Sequence, residues 1–118
     1  MILNKEQQSL ILDRVVREVK EYLGDKLDRV ILYGSYARGD YEEYSDVDVM
    51  VLAHIERNMT PKYRMGMSKI SSRIGLEDDV HVSFIIDSAD FFNANAKTLG
   101  FYRNVIKDGR LLYEFNNK

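Results

Sequence analysis

Cysteine is missing from this 118-residue chain, so neither a disulfide nor a thiolate metal site can hold its fold together. Long apolar runs are missing too. None reaches the roughly 20 residues of a membrane-spanning helix, and the opening MILNKEQQ lacks the core of a signal peptide. Both absences lead to the expectation of a cytoplasmic protein with no membrane partner. Nor is there a basic surplus: 17 Lys and Arg stand against 19 Asp and Glu, for a net charge of -2. Proteins that hold nucleic acid through its phosphates carry a basic excess or stripe. A stable nucleic-acid partner and processive polymerisation are therefore not expected, which leaves room only for brief contact with an RNA end. Repeats, linkers and low-complexity segments are also lacking. What is present, 45% hydrophobic and 11% aromatic residues, is the composition of a globular protein. The length suits a single domain over 1–118 that buries most of its apolar surface without staples.

Patterning predicts an order α-β-β-α-β-α. Over 5–23, Ile11, Leu12, Val15, Val16, Val19, Tyr22 and Leu23 share one arc of a helix. Asn4 with Gln7 three residues on forms a capping box, and Gly24 is the stop. RVILY at 29–33 and DVDVMVLA at 46–53 read as strands. Thr60-Pro61 opens a second helix, with Thr as cap and Pro at its first position; Tyr63, Met67, Ile70 and Ile74 form its stripe, and Gly75 ends it. DVHVSFII at 79–86 alternates as a third strand, with Asp79, His81 and Ser83 on one face and Val80, Val82, Phe84 and Ile86 on the other. Ser88 caps a further helical stretch through residue 99, 101–107 is another short helix, and 111–115 a last strand or tail. The expected class is α/β (α+β), a small mixed sheet with helices packed on it.

The chemistry concentrates in GSYARGDYEEYSDVDVMV, residues 34–51. Gly34-Ser35 directly after an apolar strand makes a tight turn at the sheet's end. Glycine lets the backbone approach a ligand closely, and the Ser35 hydroxyl with adjacent N–H groups can donate to phosphate. A short helix starting there would add partial positive charge, and Arg38 is placed to neutralise more of a triphosphate. Asp46 and Asp48, separated by one residue on a strand, face the same way. Two such charges repel unless a cation lies between them, and their hard oxygens suit Mg²⁺. A third carboxylate from a neighbouring strand would complete a two-metal arrangement, in which one ion activates the attacking hydroxyl and the other stabilises the leaving pyrophosphate. Asp79 is the candidate for that position; Asp78 or Glu77 takes it if the register is shifted.

Gly34-Ser35, ten residues, then Asp46-x-Asp48 resembles the signature of the DNA polymerase beta-like nucleotidyltransferase superfamily. GSYARGD followed by SDVDVMV is similar more narrowly to its minimal nucleotidyltransferases, the MNT group, over a stretch from the first helix to Gly109. The resemblance implies a polymerase beta palm-like fold and an enzyme. It implies that Gly34, Ser35 and Arg38 bind the nucleotide. It also implies that Asp46, Asp48 and Asp79 are the catalytic and metal-binding residues, holding two Mg²⁺ ions with ATP as substrate. Members of this group are often paired with a HEPN-domain toxin, act as its antitoxin, and can transfer AMP to a toxin tyrosine. Larger relatives add a domain that grips the acceptor, and 118 residues leave no room for one. The expectation is therefore a protein acceptor, with a small molecule, an RNA 3′ end or a purely non-catalytic binding role as alternatives. His81, His54 and the tyrosines Tyr36, Tyr41 and Tyr44 are read as structural or loop residues.

Overall fold

The computed structural model describes residues 2–115. Helix α1, Lys5–Leu23, begins and ends where its pattern places it. Asn4 Oδ1 accepts the Gln7 N–H at 2.8 Å and Gln7 Oε1 accepts the Asn4 N–H at 2.9 Å, the reciprocal cap that satisfies two donors a helix start leaves open. Strand β1, Leu27–Tyr33, leads into the four-residue helix α2, Ser35–Arg38. Strand β2 is Val47–Ala53, helix α3 Thr60–Asp78 and strand β3 Val82–Ser88. Two short helices, α4 (Ala89–Asn95) and α5 (Gly100–Asp108), precede strand β4, Arg110–Glu114. The Ser88 hydroxyl oxygen accepts the Phe91 N–H and so caps α4 as expected.

The sheet order is β3-β2-β1-β4. Strand β1 lies antiparallel to both β2 and β4, whereas β2 and β3 are parallel. Parallel neighbours need a long crossover, and α3 is that crossover. Alternation sends Val30 and Leu32, Val47, Val49 and Val51, and Val82 and Ile86 to one face. There the apolar stripes of α1 (Val15, Val19) and α3 (Met67, Ile70, Ile74) cover them. The other face holds Ile31, Met50 and Leu52, packed beneath Phe92 of α4 and Tyr102 and Val105 of α5. Asp48 is in step with Met50 and Leu52, so its side chain belongs to this second face.

Three expectations need correction. Thr60 is the first residue of α3 and is buried; Met59 occupies the cap position and makes no side-chain cap bond. The helix also does not stop at Gly75. Arg14 of α1 donates to Glu77 at 2.8 Å and Asp78 at 2.7 Å, and these two ion pairs hold a further turn in place. Asp79 ends the helix in a left-handed conformation, φ 56° and ψ 41°, which Asp tolerates better than most residues because its short side chain bonds locally. Strand β3 therefore starts three residues later than its alternation suggests.

Candidate active site

The site is built where β1 ends beside the start of β2. Gly34 has φ 75° and ψ -157°, a conformation that side chains other than glycine's rarely permit. A Cβ atom there would lie 2.3 Å from Asp48 Oδ2. Only a glycine lets the backbone rest against that carboxylate. The Gly34 carbonyl then accepts the N–H groups of Ala37 and Arg38, both at 3.1 Å, and Gly39 closes the turn by donating to the Ser35 carbonyl at 2.8 Å. Ser35 opens α2, and the first N–H groups of a helical turn have no acceptor within it. Backbone donors and a hydroxyl thus stand next to a carboxylate, an arrangement that suits a polyphosphate carrying its own cation.

Asp48 pairs across the sheet with Tyr33 on β1 and with Ser83 on β3. Asp46 precedes β2 by one residue but stays close enough to matter. Burial pushes the Asp48 carboxyl above its ordinary range and the Asp46 charge pushes it further, while Arg38 and His81 pull it back. The turn, the two acids and Arg38 thus converge electrostatically. Burial, with the Asp48 charge added to it, also pushes the Tyr33 hydroxyl up to about 12, so that group stays protonated beside the acids at neutral pH. Asp46 Oδ1 sits 2.8 Å from His81 Nδ1, making His81 the direct partner of one acid and not merely a bonded histidine in a strand. Arg38 is exposed, with its Nε 3.2 Å from Asp40.

Asp79 does not share a strand face with His81 and Ser83, because it lies in the left-handed cap of α3. It lines a recess of about 200 Å³ together with Glu43, Tyr44, Asp46 and His81. Glu77 and Asp78 are turned to Arg14. Among the described residues no three His, Cys, Asp or Glu side chains gather closely enough to hold a metal ion. The strand position level with Asp48 belongs to Ser83. Tyr36 is buried and stacks on Tyr41 with centroids 4.4 Å apart and planes 9° from parallel, while Tyr44 is 90% exposed. His54 pairs with Asp28 at 3.2 Å.

Two neighbours of the acids escaped the sequence reading. Tyr33 closes the first strand, and the period-two rule alone would have set it on the Asp48 side once the antiparallel pairing was known. Phe101 packs edge-on against Tyr33, with centroids 5.5 Å apart; no local signal joins residues so far apart in the chain.

Comparisons with known proteins give the chain's family. Residues 12–112 match the model of the nucleotidyltransferase domain family. Three proteins of Methanocaldococcus jannaschii, all provisionally named protein adenylyltransferases, are similar to the chain. One is 47% identical over 76 residues, which is 64% of this chain and 75% of that protein. Another is 31% identical over 98 residues, 83% of this chain and 90% of that one. Among solved structures, a protein of Sulfolobus solfataricus provisionally described as a nucleotidyltransferase is 25% identical, covering 97% of this chain and 92% of that one with a TM-score of 0.62. A toxin–antitoxin structure with AMP-PNP shares the fold at 17% identity, over 88% of this chain and 73% of that one, with a TM-score of 0.58. The chain belongs to the nucleotidyltransferase domain family and is a nucleotidyltransferase.

Proposed function

We propose that the chain transfers AMP from ATP to a hydroxyl on another protein, a tyrosine of a HEPN-domain toxin, and so serves as the antitoxin of a two-protein pair in the cytoplasm. The observation that carries the reading is the contact between the Gly34 backbone and the Asp48 carboxylate. It brings a turn suited to phosphate and a carboxylate suited to a cation to one point. The relatives' provisional name supports protein as the acceptor. The toxin–antitoxin neighbour with AMP-PNP supports both the nucleotide and the kind of partner. A single minimal domain over 1–118 is part of the same proposal.

Divalent metal fits the residues present. Asp46 and Asp48 are hard oxygen donors, and Asp48 is held above its ordinary range partly by Asp46, a mutual repulsion that a bound cation relieves. Asp46 and Asp48 would hold Mg²⁺, two ions in the full arrangement. The third-carboxylate role proposed for Asp79 rests on the recess it shares with Asp46. When bound, Mg²⁺ shields the triphosphate charge and lowers the pKa of the attacking hydroxyl.

The chain's own groups do the rest. Gly34 and Ser35 orient the polyphosphate through backbone and hydroxyl donors, and Arg38 faces its remaining charge. His81 holds Asp46 in one orientation. In the transfer the acceptor oxygen forms its bond to the α-phosphorus and gives up its proton to solvent water. The bond from that phosphorus to the bridging oxygen breaks, and pyrophosphate leaves with the electron pair.

The test is label transfer from α-labelled ATP to a toxin encoded beside this chain. Label on a toxin tyrosine, lost when Asp46 and Asp48 are both changed to Asn in a folded protein, is the expected result. Transfer at the parent's rate by that double variant overturns the metal assignment. Strong turnover on an aminoglycoside or a tRNA with no partner present overturns the acceptor.

A further inference from the structure

Helices α4 and α5 cover only part of the second sheet face. Beside them, along β3, runs a cleft of about 680 Å³. Among the described residues strand β3 pairs with β2 alone and so is an edge strand; Ser71 of α3 donates to its Val82 carbonyl at 2.6 Å, and beyond that point the edge is open to an incoming extended segment. The floor is apolar: Met50 of β2, Ile85 of β3 and Phe101 of α5 line it, with Ile85 37% and Phe101 44% exposed.

The cleft adjoins the site just described. Met50 follows Asp48 by two residues, and Ile85 follows Ser83 by two, on the same face of the sheet. Two residues of strand span about 7 Å. Phe101 is shared between the two places, since its ring also packs on Tyr33, the cross-strand partner of Asp48. An acceptor seated in the cleft would lie within one side chain's length of the acids.

The rim is cationic. Arg57 and Arg64 stand on it, and Arg64 has neither an ion pair nor a hydrogen bond among the described residues. Arg57 is fixed from two sides, with Nε 3.3 Å from Asp87 Oδ1 and the guanidinium 3.6 Å from the centroid of Phe91. Asp87, only 8% exposed, is occupied by its neighbours: Oδ1 also accepts the Ser88 N–H at 2.8 Å, and Oδ2 accepts the Tyr102 hydroxyl. The cleft therefore presents positive charge on a chain whose net charge is -2.

We infer that this cleft docks the acceptor protein through an extended, acidic segment that adds along β3, sets an apolar or aromatic side chain on Ile85 and Phe101, and pairs its carboxylates with Arg57 and Arg64. The inference rests on the protein-acceptor reading above. Strand addition draws affinity from the backbone and specificity from pockets and charges beside the edge. An RNA strand fits less well, because two arginines over an apolar floor give few phosphate contacts.

The experiment uses the full chain and a fluorescein-labelled random copolymer of Glu and Tyr, with a Lys and Tyr copolymer and poly(U) as comparisons. Fluorescence anisotropy reads docking, and calorimetry reads ATP affinity in the presence of Mg²⁺. The parent is expected to bind the acidic copolymer and not the basic one. Arg64→Glu is expected to weaken that binding about tenfold or more with ATP affinity unchanged, and Ile85→Asp to do the same through the floor. Equal binding by parent and both variants overturns the inference. So does a matching loss of ATP affinity, which would give the cleft to the nucleotide, and so does poly(U) binding lost in Arg64→Glu while the copolymer fails to bind. Label transfer from α-labelled ATP to the copolymer's tyrosines is read separately. Docking without transfer counts against the reaction proposed above and leaves the cleft assigned.

Discussion

Gly34 and Asp48 are in such close contact that a methyl group on the first would displace the carboxylate of the second, at 2.3 Å from Oδ2. The glycine also holds φ 75°, so alanine meets a steric and a conformational penalty together. Gly34→Ala is expected to cost about 1–3 kcal/mol in stability. Transfer activity should fall further than that, by about 100-fold or more, because a displacement of about 1 Å at a reacting centre is costly. Urea unfolding and label transfer on the same preparation check this. An active, destabilised variant would separate the turn from the chemistry.

Asp48→Asn should separate activity from stability in the opposite sense. Burial and Asp46 raise the Asp48 carboxyl in the folded state, so its ionised form weakens the fold at neutral pH. The amide is therefore expected to leave the melting temperature unchanged or raise it, as happens when a functional strain is removed, while transfer drops about 100-fold or more. Added Mg²⁺ should stabilise the parent, by about 2.7 kcal/mol at a hundredfold excess over its dissociation constant, and should leave the variant nearly unmoved. Thermal unfolding with and without the ion measures both.

The elements that carry Gly34 and Asp48 were legible because local rules agreed there. An apolar strand, a glycine at its end and a period-two pair of acids all say the same thing within a few residues. Helix α1 was legible to the residue, since Asn4, Gln7 and Gly24 mark its ends. Asp79 was not. The alternation in DVHVS fits a strand as well as a helix end, and the deciding contacts come from Arg14, 63 and 64 residues away. Sheet order was equally hidden: nothing local tells β4 to join β1. The cleft residues Arg57, Asp87 and Tyr102 come from the segment before α3, from β3 and from α5, so no spacing rule could gather them.

His81 is the measurable link between the recess and the acids, since its Nδ1 lies 2.8 Å from Asp46 Oδ1. Groups that orient a metal-binding side chain commonly contribute 10–100-fold in metal affinity or activity. His81→Ala is expected to lose about that much, with the Mg²⁺ concentration for half-maximal rate moving upward. His81→Asn, which keeps a donor in place, should recover part of the loss. A variant with the parent's metal dependence would show that the histidine only borders the site.

Glu18 provides a test away from the site, on the contact between α1 and α3. Its carboxylate accepts from Arg14 at 2.8 Å, and Arg73 donates to it at 2.7 Å. Burial alone would raise the Glu18 carboxyl, but the hydrogen bonds from Arg73 and Arg14 outweigh it and hold the group below its ordinary value. A carboxyl depressed in the folded state stabilises the fold above its unfolded pKa and stops doing so as pH falls through the folded value. Glu18→Gln is accordingly expected to cost about 1–2 kcal/mol at pH 7. The gap between variant and parent should narrow as the pH drops below about 4.3, the usual value for an unfolded glutamate. Urea unfolding of both proteins at neutral and acid pH follows the gap directly. A difference that stays constant with pH would mean that Glu18 acts through packing, and that the arginine pairs contribute little to holding α1 against α3.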